Sequence, residues 1–275
     1  MAIALDSYYT IGKLHLFCED YVYQGSEPFP HIILADGCSA SPDSDVGARL
    51  LVLNARCLLP QFITGALDEP GRIARHGRLG QRIVRRAARQ VRELGLELDV
   101  LDATLLIAWC DGTTVYVHLY GDGCIAACRA DGGIAAIQVS YAENAPYFLS
   151  YLLDRERWAL YREAVGDSLK AQSIEYFNET GVTTRLERFD APTMFSFSLT
   201  SFPTVAVTTD GLHSFVNAET GEQMELLAVA REVLDFSSLN GDFVKRQLRK
   251  VLVEYSRQLV FNLDDLSVGA FVRTD

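Results

Sequence analysis

Short apolar runs that end in turn residues alternate along this chain with longer segments in which apolar residues recur every three or four positions. Recurrence at three and four positions marks one face of a helix, whereas the short runs are typical of buried strands. We predict strands at residues 2–5, 8–17, 32–35, 102–109, 115–120, 124–129, 134–139, 205–209 and 268–272. We predict helices at residues 46–59, 73–94, 147–164, 219–233 and 242–258. Tight turns join the strands between 102 and 139, which predicts an antiparallel meander.

The strand at 32–35 ends in a carboxylate followed by a glycine. Its four apolar residues deliver Asp36 to the strand end, where Gly37 lets the backbone turn sharply or lets its carbonyl approach a ligand closely. A small polar loop follows, and Ser44 or Asp45 is suited to be the N-cap of the next helix. A strand, one acidic residue at its end, a tight loop and a helix together make a good place to hold a cation.

Further carboxylates occupy comparable positions near the ends of other predicted strands. The run at 205–209 repeats this design and leads into Asp-Gly at 210–211, and another Asp lies between two glycines at a strand break, where the chain can approach a ligand closely. The carboxylates of this kind, with their acidic neighbours, are Glu19, Asp20, Asp122, Asp210, Asp264 and Asp265. Each alone has an ordinary explanation, because Asp-Gly is a common turn former. Together they offer an all-oxygen ligand set, which suits Mg²⁺ or Mn²⁺ rather than zinc.

The composition limits the class of protein. The chain has 275 residues, 49% of them hydrophobic, which is enough for a sizeable core. Its net charge of −11 argues against general binding to nucleic acid or to anionic membranes, and it fits a site crowded with carboxylates. We expect no signal peptide and no membrane span, because the first residues carry no long apolar run and no window reaches about 18 apolar residues. The six cysteines form no CxxC pair, so we expect reduced thiols in a cytoplasmic protein.

The predicted helix at 73–94 carries an arginine stripe, which we define as six arginines at alternating spacings of three and four: Arg75, Arg78, Arg82, Arg85, Arg89 and Arg92. This spacing places them on one face, opposite an apolar stripe that includes Leu79 and Ile83. One interpretation is a solvated outer face. The other is a docking surface for an acidic partner, since the positive charge is concentrated on a chain with a large negative net charge.

The acidic motifs follow one another in an order that resembles a known family. The succession is Glu19-Asp20, Ala35-Asp36-Gly37, Ala103-Thr104-Leu105, Gly121-Asp122-Gly123, Thr209-Asp210-Gly211-Leu212 and Asp264-Asp265-Leu266-Ser267. This succession resembles the metal-dependent protein phosphatases of type 2C in the order of its motifs, in their approximate spacing and in the strand that follows the last motif. The resemblance covers nearly the whole chain. The segment from Ser39 through Arg49 is similar to a bacterial branch of that family.

The resemblance implies an α+β fold, a four-layer sandwich in which two antiparallel β-sheets pack together with helices on both outer faces. It implies a single domain over residues 1–275, in which residues 141–201 form a flap-like insertion beside the active site. It also implies a serine/threonine phosphoprotein phosphatase that hydrolyses phosphomonoesters by a water bridging two Mg²⁺ or Mn²⁺ ions. Its substrates would be phosphoserine or phosphothreonine proteins.

The metal ligands implied by the resemblance are Glu19, Asp20, Asp36, Gly37, Asp122, Asp210 and Asp264. Asp36 would bridge two ions, and Asp210 and Asp264 would complete the ligands of the first. The carbonyl of Gly37 would hold the second ion, together with one of the acidic residues at 19 and 20, directly or through water. A third, weaker ion would be shared by Asp122 and Asp210.

Three positions depart from the family pattern. Many members carry an arginine five residues before the first Asp, where it grips the substrate phosphate. Here that position is His15, which can donate to phosphate but lacks the bidentate fork of arginine, and which is otherwise a partly buried strand residue. Cys38 stands where some relatives place a histidine as general acid, and Asp265 replaces the commoner asparagine.

Two alternative functions stay open, and the missing arginine is what keeps the first of them open. The first is a catalytically weak or inactive phosphatase-like module that docks a partner through the arginine stripe. The second is another two-metal hydrolase that acts on small phosphoesters. Because no Gly-rich phosphate loop of the Walker type occurs, we do not expect a nucleotide-driven motor or a kinase.

Overall fold

The computed structural model describes residues 2–63, 68–165 and 171–274. The strands in these ranges are β1 Ile3–Thr10, β2 Tyr21–Gly25, β3 His31–Ala35, β4 Leu105–Cys110, β5 Thr114–Tyr120, β6 Gly123–Cys128, β7 Ile134–Tyr141, β8 Gln172–Asn178, β9 Gly181–Glu187, β10 Thr193–Ser198, β11 Thr204–Thr208, β12 Phe215–Asn217, β13 Val260–Asn262 and β14 Leu266–Arg273. The α-helices are α1 Ser44–Leu58, α2 Glu69–Glu93, α3 Arg155–Val165, α4 Leu226–Leu234 and α5 Phe243–Arg257.

Two antiparallel sheets form the centre of the molecule. One has seven strands in the order β1-β14-β11-β6-β7-β8-β9, and the other has five in the order β10-β5-β4-β3-β2. A small pair, β12 with β13, lies apart from both. This arrangement confirms the predicted α+β fold with two packed antiparallel sheets.

Three apolar layers hold the sandwich together. Successive side chains of a strand point to opposite faces, so Ile32 and Leu34 of β3 face the layer between the sheets while Ile33 and Ala35 face α1 and α2. The outer face of the seven-stranded sheet packs on α4 and α5 in the same way. The apolar residues of β3 are fully buried, and each methylene removed from water contributes about 0.8 kcal/mol. This burial fixes the strand register, and with it the position of Asp36 at the strand end.

Helix α2 buries one face and exposes the other. Asp68 caps its N-terminus by accepting the Gly71 N–H at 3.0 Å, and its apolar stripe, including Leu79 and Ile83, packs on α1 and the five-stranded sheet. Most of the arginine stripe is exposed as a consequence. The N-cap predicted for α1 is wrong by one or two residues, since Asp43 takes that position and Ser44 already lies in the first turn.

The predicted strand at 8–17 is wrong. A single strand, β1, covers Ile3–Thr10, and the chain then forms a loop at 11–20. Backbone bonds from Lys13 N–H to the Asn262 carbonyl at 2.9 Å and from Leu14 N–H to the Leu263 carbonyl at 3.1 Å hold this loop against the segment before β14. The strand was predicted because apolar residues alternate loosely in this segment. Some of them, such as Leu16, are exposed, so the alternation does not mark a buried face.

The predicted meander is wrong in one respect. Strands β4 and β5 belong to the five-stranded sheet, whereas β6 and β7 belong to the seven-stranded sheet. The chain crosses between the sheets at Gly121-Asp122-Gly123, where both glycines have φ in the left-handed region, +96° and +146°. An L side chain rarely adopts these values, so glycine permits the crossing. The crossing places Asp122 where the ends of the two sheets meet.

The segment expected as an insertion, 141–201, is partly built into the sheets. Strands β8 and β9 extend the seven-stranded sheet, and β10 pairs with β5 at the edge of the other sheet. The part outside the sheets contains short 3₁₀ turns at Ala142–Asn144 and Leu149–Leu153 and then α3, in place of one helix over 147–164. Residues 166–170 of the expected insertion lie outside the described residues. The flap role of this segment stays a prediction.

The helix predicted over 219–233 is shorter than expected. Its first residues form a turn, and α4 begins at Leu226. In the ranges that the structure describes, no helix is both long enough and apolar enough to cross a lipid bilayer.

Candidate metal centre

Strand ends from both sheets meet in one cleft of about 110 Å³. Asp36 follows β3, Asp122 follows β5, Asp210 follows β11 and Asp264 precedes β14. The residues that line the cleft are Asp36, Gly37, Cys38, Ser39, Thr104, Asp122, Asn144, Pro146, Phe148, Asp210 and Asp264. The structure therefore brings together four of the carboxylates that the sequence singled out.

Backbone hydrogen bonds fix the turn after β3. The Thr104 N–H donates to the Asp36 carbonyl and the Cys38 N–H donates to the Asp102 carbonyl, both at 2.8 Å. The Gly37 N–H donates to the Glu19 carbonyl at 3.3 Å. A Cβ on Gly37 would lie 2.8 Å from the Ser44 carbonyl oxygen, so only glycine lets the strand end approach α1 this closely.

Glu19 and Asp20 do not line the cleft. Both are nearly buried, with 5% and 2% of their surface exposed. The Thr209 hydroxyl donates to Asp20 Oδ2 at 2.9 Å, and the Ser44 hydroxyl donates to Glu19 Oε1. Asp20 is thus held by a residue that follows β11, and Glu19 is held by the first residue of α1.

Burial raises the pKa values of these carboxyl groups, and repulsion between them raises the values further. Burial is the largest cause for Asp20, Asp36 and Asp122, whose pKa values lie well above the ordinary value, and the charges of neighbouring aspartates add to it. Burial and next the charge of Asp264 raise the pKa of Asp210 to about 6. Among the described residues, no basic side chain is one of the groups that act most strongly on these four carboxyl groups, and a cation close to them would lower their pKa values.

A divalent cation fits this cluster. Asp20 Oδ1 and Asp210 Oδ1 are buried, and neither has a hydrogen-bond partner among the described residues. A buried polar atom without a partner is costly, and buried carboxylates repel one another unless a cation lies between them. The donor set consists of oxygens, which is the chemistry of Mg²⁺ and Mn²⁺ sites.

His15 does not line the cleft. Its Nε2 lies 3.1 Å from Asp264 Oδ1, and its Nδ1 lies 3.3 Å from Asp265 Oδ2 and 3.5 Å from Glu19 Oε2. Both ring nitrogens therefore face carboxylates. The phosphate contact predicted for His15 stays a prediction.

Two further carboxylates hold the site: Asp265, which the sequence marked only as an acidic neighbour of Asp264, and Asp102, which the sequence did not reveal. Asp265, 1% exposed, accepts the Gly12 N–H at 2.7 Å and the Glu19 N–H at 2.6 Å. Asp102 accepts hydrogen bonds from Ser150 at 2.6 Å and from Arg157 at 2.7 Å, which ties the segment after β7 to the loop after β3. The doublet Asp264-Asp265 was the available signal for Asp265. No local pattern marks Asp102, because its partners lie 48 and 55 residues away.

Gly211 gives a test of how tightly the site is packed. A Cβ at this position would lie 1.8 Å from the Asp265 carbonyl oxygen. We expect Gly211→Ala to lower the free energy of unfolding by about 2 kcal/mol, because the backbone must move apart to admit the methyl group. Urea unfolding measures the change.

Gly77 in α2 provides the matched control, since a Cβ at this position would meet open space, with no atom within 4 Å. Gly77→Ala should stabilise the protein by about 0.5–1 kcal/mol through helix propensity. Equal effects of the two substitutions would contradict the close packing at Gly211.

The arginine stripe lies outside the cleft. Arg82, Arg85 and Arg89 line a separate groove of about 600 Å³ with Leu58, Arg86, Gln90 and Glu93. Arg82 donates to Gln61 at 3.1 Å and lies over the Phe62 ring. The stripe and the cleft are therefore distinct surfaces.

Comparisons with known proteins agree with this geometry. A family model described as Protein phosphatase 2C matches residues 13–151, just over half of the chain. Serine/threonine phosphatase Stp1 from Staphylococcus aureus has a TM-score of 0.60 at 10% identity, with 100% of this chain and 96% of Stp1 covered. PppA, a key regulatory component of T6SS in Pseudomonas aeruginosa, has a TM-score of 0.52 at 17% identity, with 100% and 99% covered.

A further solved structure is the catalytic domain of the serine threonine protein phosphatase PstP in complex with 2 manganese ions. It has a TM-score of 0.56 at 18% identity, with 99% of each chain covered. At these identities the structural likeness establishes the fold. No curated protein sequence matches the chain.

The matched segment of the family model contains the loop at 11–20 from Lys13 onward, the turn at Asp36 and Gly37, and the sheet crossing at Asp122. The fold and the convergence of carboxylates agree with that match. The chain belongs to the protein phosphatase 2C family, the metal-dependent serine/threonine protein phosphatases.

Proposed function

We propose that the cleft is the active site of a Mn²⁺- or Mg²⁺-dependent phosphatase that acts on phosphoserine and phosphothreonine in proteins. Asp36, Asp210 and Asp264 would hold the two cations, with the Gly37 carbonyl and with Glu19 or Asp20 directly or through water. The observation that carries the proposal is the convergence of four carboxylates on one cleft. The unpartnered buried oxygens of Asp20 and Asp210 support it.

The carboxylates of the cleft have different roles in this proposal. Burial raises the pKa of Asp36, and the charges of Asp20, Asp122, Asp210 and Asp264 are near enough to raise it further. When bound, divalent cations lower the pKa of water and offset the negative charge of a phosphate. The turn after β3 holds Asp36 rigidly, and Asp122 with Asp210 offers room for a third, weaker ion.

Phosphate release tests this proposal. We expect hydrolysis of p-nitrophenyl phosphate and of phosphoserine and phosphothreonine peptides with Mn²⁺ or Mg²⁺, and none with EDTA. A phosphotyrosine peptide should be a poor substrate. Turnover that persists in EDTA would overturn the cation requirement, and turnover of p-nitrophenyl phosphate without any peptide turnover would favour a small phosphoester as the substrate.

The proposal also covers the cellular compartment of the protein and its domain organisation. All six cysteines are free thiols, which supports a cytoplasmic enzyme. We treat residues 1–275 as one domain, with residues 141–201 bordering the cleft through Asn144, Pro146 and Phe148.

The arginine stripe is the proposed docking surface for an acidic segment of a protein partner. Helix α2 carries eight arginines and no lysine, and the side chains of Arg85 and Arg89 are exposed in a groove. Like charges in this stripe also act on one another, since burial and the charge of Arg78 lower the pKa of Arg75. An acidic segment would offset this repulsion, and arginine is well suited to bind carboxylates in a bidentate manner.

We expect the double variant Arg85→Glu/Arg89→Glu to lower kcat/KM for an acidic phosphoprotein by at least about 5-fold at low salt, because charge complementarity governs association. Hydrolysis of p-nitrophenyl phosphate should not change. The control is Lys250→Glu/Arg257→Glu on α5, which makes the same charge change elsewhere. An equal loss in the control, or a loss on both substrates, would contradict docking at the stripe.

A further inference from the structure

His15 lies on the loop at 11–20, and several contacts hold this loop in place. The Lys13 and Leu14 N–H groups donate to the carbonyls of Asn262 and Leu263. The Gly12 N–H donates to Asp265 Oδ1 at 2.7 Å. A Cβ on Gly12 would lie 2.2 Å from the Asp264 carbonyl carbon, so loop and segment are in close contact. The position of His15 relative to Asp264 is therefore set by the backbone on both sides.

Asp264 is held through one of its two carboxylate oxygens. His15 Nε2 lies 3.1 Å from Oδ1, and the Asp265 N–H donates to the same oxygen at 2.8 Å. Both contacts use Oδ1, which leaves Oδ2 as the oxygen that can face the cleft. Since Asp264 lines the cleft while His15 does not, His15 is placed to orient a cleft residue and not to meet the substrate itself.

The other ring nitrogen of His15 is also occupied. Nδ1 lies 3.3 Å from Asp265 Oδ2 and 3.5 Å from Glu19 Oε2. Asp265 already accepts a backbone N–H on each of its oxygens, and Glu19 accepts the Ser44 hydroxyl. Each of these oxygens can accept more than one hydrogen bond, and the group of His15, Glu19 and Asp265 forms a hydrogen-bonded support beside Asp264.

We propose that His15 is a positioning residue that donates from Nε2 to Asp264 and holds its carboxylate in the orientation that a cation requires. Two departures noted in the sequence, His15 and Asp265, then belong together, because each touches the other in the folded chain. Partners that orient metal ligands typically change metal affinity by about 10- to 100-fold when they are removed. The inference rests on the proposed function, since it assumes that Asp264 is a cation ligand.

Two nearly isosteric variants separate the two ring nitrogens. The amide nitrogen of Gln can replace Nε2 of His15, whereas that of Asn can replace only Nδ1. We expect His15→Gln to bind Mn²⁺ within about 3-fold of the natural protein, and His15→Asn and His15→Ala to bind about 10-fold more weakly. Calorimetric titration with Mn²⁺ alone measures this without any turnover. Leu14→Ala, a change at an exposed neighbour on the same loop, should leave Mn²⁺ affinity unchanged.

Kinetics with p-nitrophenyl phosphate provide the second readout. A positioning role predicts a lower kcat at saturating Mn²⁺ for His15→Asn, with KM changed by less than about 2-fold. Equal Mn²⁺ affinity for His15→Gln and His15→Asn would overturn the proposal, and so would a raised KM with unchanged Mn²⁺ affinity, which would make His15 a phosphate contact. Absence of turnover in the natural protein would instead overturn the proposed function, while the ranking of Mn²⁺ affinities would still decide the role of His15.

Discussion

Asp36→Asn is expected to lower metal-dependent phosphate release by at least about 1,000-fold, because the pair of cations contributes several kcal/mol to the reaction and about 1.4 kcal/mol corresponds to a factor of ten. Asp36 is the carboxylate on which the charges of the four other aspartates act. Asn keeps the shape of the side chain and removes its charge. The loss therefore reports the carboxylate and not the packing.

The same substitution should make the metal-free protein more stable at neutral pH. Burial and neighbouring aspartates raise the pKa of Asp36 above that of the unfolded chain. A carboxyl group with a raised folded-state pKa contributes stability below the unfolded pKa, and this contribution is lost as the pH rises through the folded pKa. Asn avoids the cost of ionisation, so the difference between the two proteins should be large at pH 7.5 and should vanish below about pH 4.

Urea unfolding in EDTA at the two pH values measures this difference. Asp235→Asn is the matched control, because it makes the same chemical change at an exposed carboxylate beyond α4. It should alter neither phosphate release nor the pH dependence of stability. A metal-free Asp36→Asn protein that is less stable than the natural one at pH 7.5 would contradict the repulsion inferred for the cleft.

The second large effect is a loss of stability in acid, which we attribute to two buried histidines where helix α2 packs on the five-stranded sheet. His76 of α2 and His118 of β5 are both buried, with ring centroids 5.0 Å apart. His76 stacks on Tyr120 at 4.2 Å, and His118 meets Trp109 edge to face at 4.9 Å. The Nδ1 atoms of both histidines have no hydrogen-bond partner in the part of the chain that the structure describes.

The buried environment keeps both histidines neutral in the folded protein. Burial lowers the pKa of His76 from 6.5 to about 3. Burial holds the pKa of His118 well below its ordinary value. The charges of Arg75 and Arg72 and any proton on His76 lower this pKa further. The unfolded chain binds protons on these residues near pH 6.5 and the folded chain does not. Their contribution to stability is therefore present above pH 6.5 and is lost as the pH falls toward 3.

We expect each such histidine to reduce the free energy of unfolding by about 2 kcal/mol between pH 7 and pH 5, since one pH unit below 6.5 corresponds to about 1.4 kcal/mol. His76→Phe retains an aromatic ring beside Tyr120 and cannot be protonated. Its stability relative to the natural protein should thus improve by about 2 kcal/mol over this range. Urea unfolding in EDTA at both pH values gives the difference, in which the contribution of the cleft carboxylates cancels.

Tyr120→Phe controls for packing in the same cluster. It removes the hydroxyl that donates to the His76 carbonyl at 2.8 Å, without adding or removing a group that titrates between pH 5 and 7. Its effect on stability should be the same at both pH values. If His76→Phe behaves likewise, His76 is protonated or otherwise partnered in the folded protein, and the proposed origin of acid sensitivity is wrong.

The sequence predicted the elements whose pattern is local. The continuous apolar run of β3 and the Asp-Gly that follows it are visible in six consecutive residues, and a similar β-rich run precedes Asp210 after β11. The periodic apolar stripe of α2 likewise revealed the helix to within a few residues. The fold and the clustering of the cleft carboxylates could be expected because the order of such motifs resembled a family.

Contacts between distant segments could not be predicted in this way. Asp265 accepts the Gly12 N–H from 253 residues away, and this contact helps to turn residues 11–20 from an apparent strand into a loop. Nothing in the pattern at 121–123 tells whether the chain turns within one sheet or crosses to the next. The orientation of His15 could not be predicted either, because its partners Asp264 and Asp265 reach it only in the folded chain.

Direct measurement of Mn²⁺ binding tests the central claim, that the converging carboxylates hold the cations of a phosphatase. Calorimetric titration of the metal-stripped protein should show at least two Mn²⁺ ions per chain, with release of protons because the buried carboxyl groups have raised pKa values. Asp36→Asn should abolish this binding while the chain stays folded. Absence of Mn²⁺ binding in the natural protein, or equally tight binding in Asp36→Asn, would contradict the account.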